Sequence, residues 1–226
     1  MTDIIDAEAC ALEYRRLGYD AGYVFGMTPV ANMRTAEILL VGLNPGGDWG
    51  EQTWEVGSGN AYLDERWGAD GGLNALQLEV SALLNLLGVE GKQVFAGQFI
   101  PFRSPSFAAL ERKDEAIAFG RRLWTWALNQ TSAQIIVCMG YKAAWHLAQL
   151  CGAAQVDTYP TGWGTTVACR FVAPSGRVIV SIPHPSRFKL LGPGRDPAQR
   201  RKAKLAILQA ARDVPSVEVA AIEEQA

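Results

Sequence analysis

Three short apolar runs, each closed by a glycine or a proline, constrain the fold of this chain more than any other feature. The runs are 37–41 (EILLV), 134–139 (QIIVCM) and 177–182 (RVIVSI). A run this short and this continuously apolar is typical of a strand buried on both faces, as in a parallel sheet covered by helices. Segments with helical spacing of apolar residues occur at 73–87, 107–128 and 141–150. The alternation predicts an α/β protein, a three-layer α/β/α sandwich with a central, mostly parallel sheet.

The rest of the chain fits the same plan. The remaining predicted elements are helices over 6–17 and 197–212, strands over 93–100 and 165–172, a loop over 19–35 and a long excursion over 48–72. The sequence has no composition break and no low-complexity linker. We therefore predict one domain over 1–226, with its core at about 36–212 and a frayed tail over 214–226.

Composition bounds the class of protein. Apolar residues make up 49% of the chain, enough for a substantial core, yet no run reaches the roughly 18 residues needed to span a bilayer. The start, Met1-Thr2-Asp3, is unlike a secretory signal, so we expect a cytoplasmic protein with no membrane partner, acting as a monomer. The four cysteines form no C-x-x-C pair. We therefore expect no metal, no iron–sulfur cluster and no other cofactor.

Positive charge is concentrated near the C-terminal end of the chain. The net charge is −2, but residues 187–204 contain seven basic side chains against one acidic one, Asp196. A solvated helix face explains part of this excess, because lysine and arginine commonly coat exposed helices. Its position directly after the loop at 183–187 favours a polyanion as partner.

Two loops carry the side chains best suited to chemistry. Residues 42–47 (GLNPGG) follow the first apolar run, and residues 183–187 (PHPSR) follow the last. Since the carboxyl ends of parallel strands lie at one edge of a sheet, where ligands bind, we expect both loops to face one pocket. Neighbouring prolines restrain Asn44 and His184 in extended conformations. An amide can orient a water, and an imidazole can stabilise an oxyanion or act as a general acid, although each loop alone also fits an ordinary turn.

Together the two loops resemble the signature motifs of the uracil-DNA glycosylase superfamily. The first is similar to the GxNPG form of the single-strand-selective and mismatch-specific branches, and the second to the HPS form. The resemblance extends to 98–102 (QFIPF), where the single-strand-selective branch has Asn-x-Cys-Pro-Leu, and to 135–150, covering roughly 38–208 in all. It implies a central four-stranded parallel sheet between helices. It also implies a DNA-binding enzyme that flips out uracil or a related damaged base and hydrolyses its N-glycosidic bond, leaving an abasic site.

The resemblance implies roles for residues of both loops and of the excursion between them. Asn44 would orient the attacking water, and His184 would bind the uracil O2 as negative charge collects there. One of three aromatic residues would stack on the base: Trp49, Trp54 or Tyr62. The other residues expected at the base are Gly42, Leu43, Pro45, Gly46 and Gln98. The residues expected at the DNA are Pro185, Ser186, Arg187, Phe188 and Lys189, with Arg187, Phe188 or Leu190 as a wedge and the basic helix holding the backbone.

Gln98 departs from the family pattern, because it replaces the asparagine that reads the uracil edge. Its longer amide could reach N3 and O4 in a deeper pocket, or read another lesion such as hypoxanthine or a damaged pyrimidine. It could also lie at a strand edge and read nothing. The alternative function is therefore a protein of the same fold that binds nucleic acid or a nucleobase without cleaving it.

Two further classes of chemistry are disfavoured by the sequence. An unrelated α/β hydrolase or transferase ranks last, because the chain has no G-x-S-x-G, P-loop or H-E-x-x-H motif. Lyase chemistry needs a lysine nucleophile in the pocket, and neither loop motif contains one, although Lys189 is near. We therefore expect a monofunctional enzyme that forms no Schiff base.

Overall fold

The computed structural model describes residues 5–57, 59–192 and 194–212. Its helices are α1 (Ala7–Arg16), α2 (Ala61–Asp64), α3 (Ala75–Leu87), α4 (Lys113–Leu128), α5 (Tyr141–Cys151), α6 (Pro185–Phe188) and α7 (Pro197–Arg212). Its strands are β1 (Tyr23–Gly26), β2 (Ile38–Gly42), β3 (Gln52–Glu55), β4 (Val94–Gln98), β5 (Ile135–Met139), β6 (Ala154–Pro160), β7 (Val167–Val172) and β8 (Val178–Ile182). Two short 3-10 turns, Val30–Arg34 and Gly91–Gln93, complete the described elements.

The sheet is mixed and has eight strands in the order β3-β1-β4-β2-β5-β8-β7-β6. Its four central strands, β4, β2, β5 and β8, run parallel to one another. Antiparallel pairs extend this centre on both sides, joining β1 to β4, β7 to β8 and β6 to β7. The predicted α/β class is confirmed. The expected four-stranded parallel sheet corresponds only to the centre of the observed sheet, which has four further strands.

Two of the missed strands, β3 and β6, have no continuous apolar run, whereas β1 (YVFG) has a short one and is buried throughout. β1 lies within 19–35, which was predicted as a loop from its glycines, prolines and aromatic residues. β3 (QTWE) is half-exposed, and all but one residue of β6 are exposed. Outer strands of a sheet need not be buried on both faces, so the pattern that identifies the central strands does not identify β3 and β6.

Helices cover both faces of the sheet. In β2, Leu39 and Val41 join a core formed with α1, α4 and α5, whereas Ile38 and Leu40 join a second core formed with α2, α3 and α7. Alternation across each strand produces this division, because successive side chains point to opposite faces. The structure therefore has three layers.

Helix boundaries follow local capping signals. α3 begins at a capping box, in which Asn74 and Gln77 satisfy each other's backbone N–H groups, and it ends at Gly88 in the left-handed conformation. α4 begins at Lys113, so the helix predicted from 107 is wrong at its start. The basic helix predicted over 197–212 is confirmed as α7, and the predicted tail over 214–226 lies outside the described residues. None of the described helices is long and apolar enough to cross a bilayer.

The parallel centre brings four strand ends to one edge. β2, β4, β5 and β8 end there at Gly42, Gln98, Met139 and Ile182. The β2–β4 ladder continues beyond both strands, because Phe99 N–H donates to the Gly42 carbonyl and Ile100 N–H to the Leu43 carbonyl, each at 2.8 Å. The segment after β4 is thereby held alongside the loop after β2.

Candidate active site

A cleft of about 800 Å³ lies at the carboxyl edge of the central strands. Asn44, from the loop after β2, and His184, from the loop after β8, both line it. The five other cleft residues predicted from the first loop and from β4 also line it: Gly42, Leu43, Pro45, Gly46 and Gln98. The structure thus brings two distant sequence motifs to one cavity, as expected for the ends of parallel strands.

The side-chain amide of Asn44 is fixed by its nitrogen. Nδ2 donates to Ser104 Oγ at 3.0 Å and to the Pro45 carbonyl at 3.1 Å. Both N–H bonds are therefore used, and no described residue donates a hydrogen bond to Oδ1. The amide presents an acceptor to the cleft.

His184 has a defined tautomer. Its Nδ1 accepts a hydrogen bond from the Ser186 backbone N–H at 3.3 Å and lies 2.8 Å from Ser186 Oγ. A backbone N–H can only donate, so Nδ1 carries the lone pair and a neutral ring carries its proton on Nε2. Burial lowers the pKa of His184, which favours the neutral form. The imidazole can therefore donate from Nε2 without being an imidazolium.

Gln98 lies in the cleft at the end of an interior strand, not at a sheet edge. Its side chain is 5% exposed, and Nε2 donates to the Tyr62 hydroxyl at 3.3 Å. Its Oε1 is buried and has no hydrogen-bond partner within the described structure. The amide lies directly over Gly42, where any Cβ would collide with Oε1. Gln98 therefore lines the cavity with an amide whose oxygen is buried over Gly42 and unsatisfied, and such acceptors are rare unless a ligand or water completes them.

The three aromatic residues predicted for stacking are in different environments. Tyr62 lines the cleft, and burial raises its pKa well above the ordinary value, so its hydroxyl stays protonated. Trp54 packs against Phe25 and Trp126, so its assignment to the base is wrong. Trp49 is 76% exposed and is not among the residues that line the cleft. Only Tyr62 of the three is therefore in position to contact a base in this structure.

The residues predicted at the DNA form a short helix, α6, and its continuation. Ser186 and Arg187 are exposed and line the cleft, and Lys189 is exposed beside them. Phe188 is half-buried, with its ring edge-on to Trp163. Pro185 was predicted to contact DNA. Its side chain is buried at the start of the helix, so this prediction is wrong. Leu190 is 1% exposed, so its role as a wedge is also wrong, because it packs in the core instead.

The basic stretch does not form one continuous surface. Arg195 is buried, with its guanidinium 4.4 Å from the centre of the Trp163 ring. Arg201, Lys202 and Lys204 on α7 are exposed. Arg187 is the only basic residue of 187–204 that lines the cleft.

Several cleft residues escaped the sequence analysis. Trp67 packs edge-on against Tyr62 at 5.4 Å, and Phe107 lies at the far wall under the Lys142 ammonium. Arg103 donates to the Gly46 carbonyl, and Ser104 contacts Asn44. Arg103, Ser104 and Phe107 follow β4 in a stretch predicted as a turn and the start of a helix. A correct prediction that β2 pairs with β4 would have identified these residues, because this pairing places the segment after β4 beside the first loop.

No group of three metal-ligating side chains occurs in 5–57, 59–192 and 194–212, and all four cysteines there are free. The protein-family comparison matches residues 29–208 to the family described as the uracil DNA glycosylase superfamily. A comparison with curated proteins finds no match.

Proposed function

Since the matched region spans most of its length, the chain belongs to the uracil DNA glycosylase superfamily, and we propose that it is a monofunctional glycosylase for uracil or a related damaged base in DNA. Members of this superfamily act on DNA. The observation that carries the proposal is the meeting of Asn44 and His184 in one cleft at the carboxyl edge of the sheet.

The proposed reaction begins with a base turned out of the DNA stack, because the glycosidic bond is unreachable within a duplex. The oxygen of a water forms a bond to C1′ of the sugar while the C1′–N bond breaks. The electrons of the broken bond leave with the base, which then takes up a proton, and the water loses one. Asn44 Oδ1 accepts a hydrogen bond from this water and aims its lone pair at C1′.

His184 acts on the departing base. The negative charge that collects on a uracil O2 is stabilised by a hydrogen bond from Nε2–H, which the contacts of Nδ1 leave available. A neutral donor suits this role, because it binds charge as the charge develops and does not need to transfer a proton.

Gln98 and Tyr62 supply groups for reading the base. Gln98 Oε1 is the unsatisfied acceptor, and it would accept from a ring N–H such as N3–H of uracil. The Tyr62 hydroxyl accepts from Gln98 and keeps its own proton to donate. Arg187 and Lys189 would bind the backbone of the DNA strand at the mouth of the cleft.

A panel of labelled oligonucleotides tests the proposal. Single- and double-stranded substrates would each carry one uracil, hypoxanthine, xanthine or oxidised pyrimidine. Alkali-sensitive cleavage of at least one of them is expected. Tight binding without cleavage of any would contradict the proposal and support the alternative, a nucleic-acid or nucleobase binder of the same fold.

The pH dependence of kcat/KM should report on His184 in the free enzyme. Burial lowers its pKa below the ordinary value of 6.5, so the neutral ring persists at pH 6.5 and is lost only at lower pH. Protonation of Nδ1 would break its hydrogen bond from Ser186 N–H, so kcat/KM is expected to decline on an acid limb whose midpoint lies below 6.5. The limb should persist in His146→Gln, which changes the chain's other histidine, and a midpoint above 6.5 in wild type would contradict this assignment.

The absence of a lysine nucleophile predicts that no covalent adduct forms. Among the residues lining the cleft there is no lysine. Borohydride added during turnover is expected to trap no protein–DNA complex, and the product should be an intact abasic site. A trapped adduct would contradict this prediction, and its loss in Lys189→Ala or in Lys142→Ala, whose ammonium lies over the cleft residue Phe107, would identify the lysine responsible.

A further inference from the structure

We propose that Ser104 is a positioning residue that holds the Asn44 amide with its oxygen toward the cleft. The inference deepens the glycosylase proposal and rests on it for its catalytic consequence. The structure of the free protein alone supports its geometric part, namely that one serine determines which end of the Asn44 amide faces the cleft.

The hydrogen bonds of Ser104 set its direction. Its hydroxyl donates to the Ser106 carbonyl at 2.8 Å, so the lone pairs of Oγ remain to accept from Asn44 Nδ2 at 3.0 Å. A serine hydroxyl has one proton, and with that proton committed it cannot donate to an amide oxygen. The relay therefore runs one way, from Asn44 through Ser104 to the Ser106 carbonyl.

A reversed amide is disfavoured at both of its contacts. It would place Oδ1 against Ser104 Oγ, whose proton points elsewhere, and against the Pro45 carbonyl oxygen, which has no proton. Two hydrogen bonds would be replaced by two contacts between acceptors. The amide orientation thus follows from the hydrogen-bond network that surrounds it.

Ser104 itself is held by the fold. It is 5% exposed, and its backbone N–H donates to the Pro45 carbonyl at 3.2 Å. This bond lies beyond the paired ends of β2 and β4, so the sheet carries Ser104 to the first loop. The serine is therefore placed before any substrate arrives, as pre-organised catalysis requires.

Removal of the hydroxyl should reduce kcat with little change in KM. In Ser104→Ala the amide keeps only its bond to Pro45, and we expect kcat to fall about tenfold, the effect of losing one hydrogen bond of ordinary strength. The matched control is Thr28→Val. It removes a different buried hydroxyl, which lies away from the cleft and accepts a hydrogen bond from the Ala96 backbone N–H. The control should keep its kcat.

A double-mutant cycle separates positioning from a general structural effect. Ser104→Ala is expected to cost nothing further in an Asn44→Ala background, because there is no amide left to orient. An equal loss in both backgrounds, or an unchanged kcat in Ser104→Ala alone, would overturn the proposal.

A second measurement keeps the inference independent of activity. The side-chain NH₂ protons of Asn44, assigned by their loss in Asn44→Ala, should exchange slowly with water in the wild type and faster in Ser104→Ala, as followed by NMR. Equal exchange rates would overturn the relay even in an active enzyme. If protection is lost as expected but no substrate is cleaved by the wild type, the relay stands and the glycosylase proposal fails.

Discussion

Replacement of Asn44 by alanine is expected to reduce kcat for base excision by about 10²-fold or more. The substitution removes the acceptor that would orient the attacking water, and misplacement of a reactant by about 1 Å can lower a rate about 10²-fold. Because binding of the extruded base does not need this amide, KM should change little. Single-turnover cleavage of the best oligonucleotide from the panel measures the chemical step directly.

Asn85→Ala is the control for this variant. It removes the same amide from an exposed position of α3, away from the cleft lining, and should leave the rate unchanged. A fully active Asn44→Ala enzyme would show that the water is oriented by another group and would remove the first loop from the mechanism.

Replacement of His184 by alanine is expected to lower kcat by about 10²–10³-fold, the usual cost of deleting one donor to a developing oxyanion. The loss should depend on the leaving group. A base whose anion is intrinsically stable, such as 5-fluorouracil, needs less help and should lose less activity than uracil. Rates for both bases in wild type and variant measure this difference.

His146→Ala is the control for the histidine variant. The His146 ring is buried and stacked on Phe99, 4.9 Å between ring centres, and lies outside the cleft lining. It should affect stability more than rate. An identical loss for uracil and fluorouracil in His184→Ala would mean that the imidazole does not act on the departing base.

The centre of the fold could be predicted because its strands are buried on both faces. Continuous apolar runs such as those of β2, β5 and β8 have few alternatives in a chain that also contains amphipathic helices. The exposed outer strands β3 and β6 could not be found in this way. β6 is almost fully exposed, and its place is set by pairing with β7, which no local pattern of β6 records.

The meeting of the two loops was predictable, because each follows a central strand and its glycines and prolines are visible in the sequence. Asn44 and His184 therefore line one cleft as expected. Ser104 and Phe107 reach the same cleft only through the pairing of β2 with β4, and nothing in the local sequence distinguishes them from other loop residues. Trp54 was misassigned because an aromatic residue after a motif looks the same whether it faces a ligand or packs against Phe25.

The contact between Gly42 and the Gln98 amide means that these two positions cannot vary independently. The longer side chain is accommodated only because its neighbour across β2 and β4 has no side chain at all. A shorter amide at position 98 would leave a void above Gly42, and an alanine at position 42 would require the Gln98 amide to shift or to be shorter. In the proposed enzyme, the residue that reads the base and the backbone that leads into the loop of Asn44 would thus be joined in one steric pair.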